Sequence, residues 1–226
     1  MESGFILIDK PAGMTSHDVV DELRQITKIR KIGHAGTLDP IATGLLILGI
    51  GRKATKKLEN FQKLDKEYVA KIKLGAISDT FDRGGKIEIK EVKKVPEEEA
   101  IRNTIQSFIG EIEQIPPIFS AKKSKGKKFY QLARKGMRIQ PKPQKVKIYK
   151  IVILNYKWPF LEIKVNCSSG TYIRSLANDI GQKLNCGGYL EELRRTKIGN
   201  FSIKDAKKLK EINPKNWQIL TTYSLK

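Results

Sequence analysis

The chain is poor in the residues that bind metals and build crosslinks. Two cysteines, Cys167 and Cys186, and two histidines, His17 and His34, are spread over 226 residues. A structural zinc site takes about four Cys or His ligands at tight spacings. No such spacing occurs, so no metal is expected. No disulfide framework is indicated either, which fits a reducing compartment. Long apolar runs are also missing. The longest, Leu45 to Ile50, is broken by Gly49 and falls far short of the roughly 20 residues a membrane helix needs. Met1-Glu2-Ser3-Gly4 lacks the basic start and following apolar stretch of a secretory signal. A cytoplasmic protein with no membrane partner is the expectation. Acidic residues are scarce too: 24 Asp and Glu face 44 Lys and Arg, a formal net charge of +20. That excess favours a polyanionic partner, because neutralising phosphates releases counterions. A lysine-rich composition without functional meaning is the competing explanation.

What is present suffices for a folded core. Hydrophobic residues make up 39% of the chain, which argues against disorder, and the length suits one large domain or slightly more. Phe5 to Ile8 reads as a short buried strand. Thr15 and Asp18 fit a capping box ahead of Val19, Val20, Leu23 and Ile26 at helical spacing. Lys28, Arg30 and Lys31 close that helix with charge suited to its C-terminus. Glu67 to Leu74 alternates as a half-buried strand does, and Ser78 to Gly85 is a turn-rich loop. Pro96 and three glutamates open a helix with Ile101, Ile105, Phe108 and Ile109 as its stripe and Gly110 as its end.

Further on, Lys122 to Lys128 is the densest basic run, and Phe129 to Lys135 reads as a short helix ending at Gly136. Val146 to Tyr156 and Leu161 to Cys167 read as strands, and Thr171 to Leu184 as a helix. Tyr189 to Arg195 reads as a second short helix and Lys197 to Ile203 as a last strand. No internal repeat or long linker is visible. Interleaved helices and strands with hairpin-length connections give a mixed α/β fold of the α+β type.

Two places carry chemistry. Gly33-His34-Ala35-Gly36-Thr37-Leu38-Asp39-Pro40 packs two glycines, a histidine, a threonine and an aspartate into eight residues. Glycines at this density let backbone approach a ligand closely. One reading makes Asp39 the N-cap of a helix over Ile41 to Leu48 with Pro40 as its first residue. The other presents Asp39 on a rigid loop with His34 near the same surface. The second place is Arg174, in the first turn of the helix that Thr171 opens. The dipole disfavours a cation there by about 0.3–1 kcal/mol. Either the side chain reaches solvent or it meets an anion, a phosphate or a carboxylate. Asp39 is the obvious carboxylate, since a nucleophilic carboxylate must stay ionised and aimed.

The run Lys31-Ile32-Gly33-His34-Ala35-Gly36-Thr37-Leu38-Asp39-Pro40-Ile41-Ala42-Thr43-Gly44-Leu45-Leu46 resembles the signature of the TruB family of tRNA pseudouridine-55 synthases. Further blocks resemble that family in the same order, from about Phe5 to Phe201. Ile8 to Ser16 is similar to its N-terminal block, with Lys10-Pro11 as the pair that supports the active-site loop. Lys66-Glu67-Tyr68 is similar to the motif whose tyrosine stacks on the target base. Ser169 to Leu176 is similar to the block in which the arginine, here Arg174, pairs with the catalytic aspartate while Tyr172 lies beside the base. Gly188 to Thr196 matches with Leu193 at the pocket-lining position. Pro116 to Ala121 through Tyr130 to Arg134 resembles the RNA-gripping segment. Phe119 and Lys122 stand where the family more often has Tyr and Leu.

The resemblance implies a pseudouridine synthase fold: a central, mostly antiparallel sheet flanked by helices, with an RNA-gripping insertion at about 116–143. It implies one catalytic domain over 1–226 acting on the T-stem-loop of tRNA, and a monomer is expected; the roughly twenty-five residues after Phe201 are too few for the PUA domain many members carry. Breaking C1′–N1 and forming C1′–C5 involves no redox change, so no cofactor is implied. Asp39 then serves as nucleophile, base or electrostatic stabiliser. Tyr68 stacks on a uridine extruded from the T-loop, and His34 fills the RNA or bonds a neighbouring nucleotide. Lys122, Lys123, Lys125, Lys127 and Lys128 grip the backbone. The alternatives are a non-catalytic RNA-binding or tRNA-folding protein on the same scaffold, and a carboxylate-based nucleosidase. The latter usually needs a carboxylate pair, and Asp39 shows no second one in the sequence.

Overall fold

A computed structural model describes residues 3–118, 123–124, 127–128 and 141–221. Along the chain run β1 (Gly4–Lys10), α1 (Ser16–Thr27), β2 (Ile32–Ala35), β3 (Thr43–Ile50), α2 (Gly51–Thr55), α3 (Leu58–Gln62) and β4 (Lys66–Leu74). Next come β5 (Ala76–Ser78), β6 (Ile87–Ile89), α4 (Glu98–Gln106), β7 (Gly110–Gln114), β8 (Lys123–Ser124), β9 (Lys127–Lys128), β10 (Gln144–Lys157) and β11 (Phe160–Cys167). The last elements are α5 (Ile173–Lys183), β12 (Gly188–Ile198), β13 (Phe201–Ser202) and β14 (Lys207–Lys208), with 3-10 turns at Ile203–Asp205 and Leu209–Glu211. The chain divides into two compact units, Met1–Tyr68 with Leu193–Lys226, and Val69–Glu192.

In the first unit β1 pairs antiparallel with β3, from Gly4 opposite Ile50 to Lys10 opposite Gly44. β14 lies parallel to β1, β2 antiparallel to β3, and β13 folds back on β12. β12 joins β3 in parallel through Arg194 opposite Thr43 and Arg195 opposite Gly44. The close approach at Gly44 requires glycine. Its φ is +105°, and a Cβ there would lie 2.3 Å from the Arg195 carbonyl oxygen.

Thr15 caps α1 as the sequence predicts, with the reciprocal Asp18 bond in place. Val19, Val20 and Leu23 then seat on Ile6, Ile8, Leu46, Leu48 and Ile50. On the other face Phe5, Leu45 and Ile47 pack with Ala54, Leu58 and Phe61. β3 is therefore buried on both sides. This corrects the helix considered over Ile41 to Leu48: an unbroken apolar run fits a doubly covered strand as well as a buried helix, and periodicity alone does not separate them.

In the second unit the strand order is β4-β11-β10-β7. β10 pairs antiparallel with both β11 and β7. β4 alternates as expected, with Ala70, Ile72 and Leu74 buried and Val69, Lys71 and Lys73 half-buried. α4 follows Glu97, which makes no side-chain cap bond, and buries Ile101 and Ile105. Phe108 and Ile109 lie beyond its end, and Gly110, at φ +111°, opens β7.

Two expectations near the C-terminal end are corrected. Tyr189 to Arg195 is the body of β12, not a helix, because its backbone groups find partners on neighbouring strands. The strand expected over Lys197 to Ile203 is instead the end of β12, a turn, and the two residues of β13. A helical stripe and an irregular strand give similar apolar spacings, and only strand pairing separates them. The helix expected over Phe129 to Lys135 lies outside the described residues. Among the described residues no helix is long and apolar enough to cross a membrane.

Candidate active site

The loop between β2 and β3 carries Asp39, and its backbone is held from one neighbouring segment. The Leu38 N–H donates to Ser16 Oγ at 2.9 Å, and the Ser16 hydroxyl donates back to the Leu38 carbonyl at 3.2 Å. On the other side of Asp39, the Gly13 N–H donates to the Pro40 carbonyl at 2.8 Å. The Asp39 carbonyl accepts from the Ala42 N–H at 3.0 Å, closing a turn. Asp39 is half-buried. Its loop is a fixed turn rather than the start of a helix, so of the two readings of this stretch the loop is the one found.

Three cations of the first unit crowd the same region. Lys10 is fully buried at the end of β1, and its ammonium donates to the carbonyls of Pro11 at 2.8 Å and Met14 at 2.7 Å. Burial pushes the Lys10 amine down to about 8, while the negative charge of Asp39 pulls it up and Arg195 pushes it down. Arg195, 1% exposed, donates to the Leu45 carbonyl at 2.8 Å and to the Gly36 carbonyl at 3.0 Å. Arg194 forms a two-pronged pair with Asp9 at 3.0 and 2.7 Å, a geometry that suits a guanidinium and a carboxylate. β12 thus anchors β1, β3 and the Gly36 turn through adjacent arginines. A cleft of about 520 Å³ opens beside Lys10, Met14, Thr43, Arg194 and Leu209.

Arg174 lies in the first turn of α5, as expected, and is buried at 5% exposure. Its guanidinium donates to Asp82 Oδ2 at 3.1 Å and to the Thr80 carbonyl at 3.3 Å. Asp82 is itself buried, with Oδ1 accepting from the Thr80 hydroxyl at 2.8 Å and the Gly84 N–H at 2.9 Å. Tyr172 occupies the position before the first residue of α5 without a side-chain cap bond, and its backbone is clamped by Gln114. The Tyr172 N–H donates to Gln114 Oε1 at 2.9 Å, and Gln114 Nε2 donates to the Tyr172 carbonyl at 3.0 Å.

The other sequence-derived residues fall as follows. His34 is half-buried in β2 and lines a cleft of about 610 Å³ with Lys31, Thr55, Lys56 and Gln62. Tyr68 sits in β4 and Leu193 in β12, both buried. Of the basic run, Lys123, Lys127 and Lys128 lie in a two-stranded ladder, Lys123 opposite Lys128. Their side chains, and Lys122 and Lys125 altogether, are outside the described residues.

Ser16, Gln114 and Asp82 carry functional geometry that the sequence did not single out. Asp82 sat in a turn-rich loop where an aspartate needs no special reason. Among the described residues no three His, Cys, Asp or Glu side chains come together as metal ligands would.

Comparisons with known proteins place these features. A family model described as TruB family pseudouridylate synthase (N terminal domain) matches residues 24–173. A second, described as tRNA pseudouridylate synthase B C-terminal domain, matches residues 174–221. The chain is 49% identical over 217 residues to the tRNA pseudouridine synthase B of Clostridium tetani, covering 96% of this chain and 74% of that one. It is 47% identical over 203 residues to the protein of the same name from Chlamydia abortus, covering 90% and 86%.

Among solved structures, a chain of a Cbf5-Nop10-Gar1 complex superimposes with a TM-score of 0.72 at 32% identity, over 92% of this chain and 52% of that one. A chain of the archaeal box H/ACA sRNP Nop10-Cbf5 complex gives 0.70 at 30%, over 95% and 55%. This chain spans about half the length of those two.

Proposed function

The chain belongs to the TruB family of pseudouridylate synthases, and from that membership we propose that it isomerises uridine 55 in the T-loop of tRNA to pseudouridine, with Asp39 as the catalytic carboxylate. The observation that carries the assignment of Asp39 is its loop, whose backbone is hydrogen-bonded immediately before and after residue 39. A reacting carboxylate gains most from being held in a near-attack position, and buried Lys10 supplies positive charge close by.

In this reading the target uridine leaves the RNA stack, at a cost of a few kcal/mol that stacking offsets in part. Tyr68 and Tyr172 flank the base, Leu193 lines its pocket, and His34 faces the neighbouring nucleotide. The Asp39 carboxylate acts during glycosidic cleavage, the uracil turns within the pocket, and the C1′–C5 bond forms. Arg174 belongs to the catalytic set with Asp39, and its guanidinium is oriented by Asp82. No electron acceptor enters this balance: one carbon–nitrogen bond breaks, one carbon–carbon bond forms, and the C5 proton ends on nitrogen or solvent. Lys122, Lys123, Lys125, Lys127 and Lys128 hold the tRNA backbone, in keeping with the net charge of +20.

The test is pseudouridine formation in a tRNA transcript and in its isolated T-stem-loop. Wild type converts one uridine in each, and Asp39→Asn abolishes conversion while retaining RNA binding. Unchanged turnover by Asp39→Asn would remove Asp39 from the chemistry. Tight binding without conversion by the wild type would instead favour an RNA-folding protein.

A further inference from the structure

We propose that Ser16 is a positioning residue for catalysis, coupling the core-anchored helix α1 to the Asp39 carboxylate; this rests on the reading of Asp39 as the catalytic group. Ser16 is the first residue of α1 and is 2% exposed. A serine there ordinarily serves its own helix, but the capping at this end is done by Thr15 with Asp18. The Ser16 hydroxyl is committed elsewhere. It accepts from the Leu38 N–H and donates to the Leu38 carbonyl, 22 residues away in sequence. A single side chain thereby satisfies both polar groups of the residue preceding Asp39, as a paired strand would.

This geometry fixes more than a loop position. Holding both the N–H and the carbonyl of Leu38 sets the rotation of the peptide plane that leads into Asp39. Pro40 restricts Asp39 to extended backbone from the other side, and the Gly13 N–H holds the Pro40 carbonyl. Asp39 is thus constrained at both flanking residues, by Gly13 on one side and Ser16 on the other; both lie in the segment Gly13 to Ser16, where the Thr15 side chain serves only the cap of α1.

That segment is rigid for independent reasons. The Lys10 ammonium ties together the Pro11 and Met14 carbonyls at its start. At its end, Val19, Val20 and Leu23 bury α1 in the core. Removing the Ser16 hydroxyl leaves α1 and its cap in place but frees the peptide before Asp39 to turn. A displacement of about 1 Å in a reacting group can cost a hundredfold in rate, so the effect belongs in kcat.

The experiment compares Ser16→Ala, Thr15→Ala and Asp39→Asn by single- and multiple-turnover pseudouridine formation, stem-loop binding and thermal melting. Thr15 touches the same helix end without touching Leu38. Thr15→Ala is expected to lower Tm by about 2–4 °C, as loss of a cap does, with kcat unchanged. Ser16→Ala is expected to lower kcat by about tenfold to a hundredfold, at temperatures well below its melting, with KM and stem-loop affinity within about twofold.

Gly13→Ala perturbs the grip on the Pro40 side. Its φ of +87° strains an alanine, while an added Cβ meets no atom within 4 Å. It should reproduce the kcat loss, again with KM within about twofold. Wild-type kcat in Ser16→Ala, or a loss confined to Tm and KM, overturns the proposal while leaving Asp39 catalytic if Asp39→Asn is dead. Full activity in Asp39→Asn overturns the underlying reading instead.

Discussion

Consider breaking the Arg174–Asp82 pair. The two side chains are 6% and 9% exposed and meet at 3.1 Å. Removing one member of a buried pair costs about 3–5 kcal/mol, because the remaining charge loses its counterion without regaining water. In Arg174→Ala the Asp82 carboxylate keeps its two bonds from Thr80 and Gly84 on Oδ1, while Oδ2 loses the guanidinium. Destabilisation near the lower end of that range, about 3 kcal/mol, is therefore expected. Asp82→Asn keeps the shape and removes the charge. If the pair is the main debt in each single variant, the double variant is destabilised by about 2 kcal/mol less than the sum, in line with a charge-assisted bond of about 1.5–3 kcal/mol.

Urea unfolding of the four proteins at pH 7 yields the cycle, and the coupling term separates this pair from the other partners of Arg174. The same proteins are then assayed for pseudouridine formation. Arg174→Ala is expected to lose turnover far more than tRNA affinity. Additive stabilities within about 0.5 kcal/mol would refute the reasoning on the pair. Equal losses of turnover and affinity would make Arg174 a phosphate contact.

Two further outcomes are expected. Burial holds the Lys10 amine near 8 against its ordinary 10.5, so between those values the unfolded chain binds more protons and folding becomes more favourable as pH rises. Relative to Lys10→Met, the urea midpoint of the wild type should therefore climb from about pH 8 towards pH 10.5; parallel pH profiles would show that Lys10 is not desolvated. Neutralising Lys125, Lys127 and Lys128 together should weaken tRNA binding and reduce the slope of log K against log salt by about 2–3. An unaltered slope would remove that run from the RNA interface.

The local signals in the sequence translated directly where one short segment decides its own structure. The Thr15–Asp18 capping box, the alternation of β4 and the placement of Arg174 in the first turn of α5 depend on neighbours within a few residues, and all three were legible. The family, and with it the mixed α/β fold, followed from motifs long enough to be specific. Tertiary structure decided what pairing and burial decide.

The run from Thr43 to Ile50 is a strand because two separate cores cover its two faces. Residues 189–195 form a strand because the backbones beside them accept their hydrogen bonds. Asp82 meets Arg174, and Ser16 grips Leu38, across separations of 92 and 22 residues. Residue types alone carry no signal for such partners. A hydrogen bond between distant positions is set by how the chain packs, and an aspartate in a turn or a serine at a helix start reads the same whether or not that packing brings it a partner.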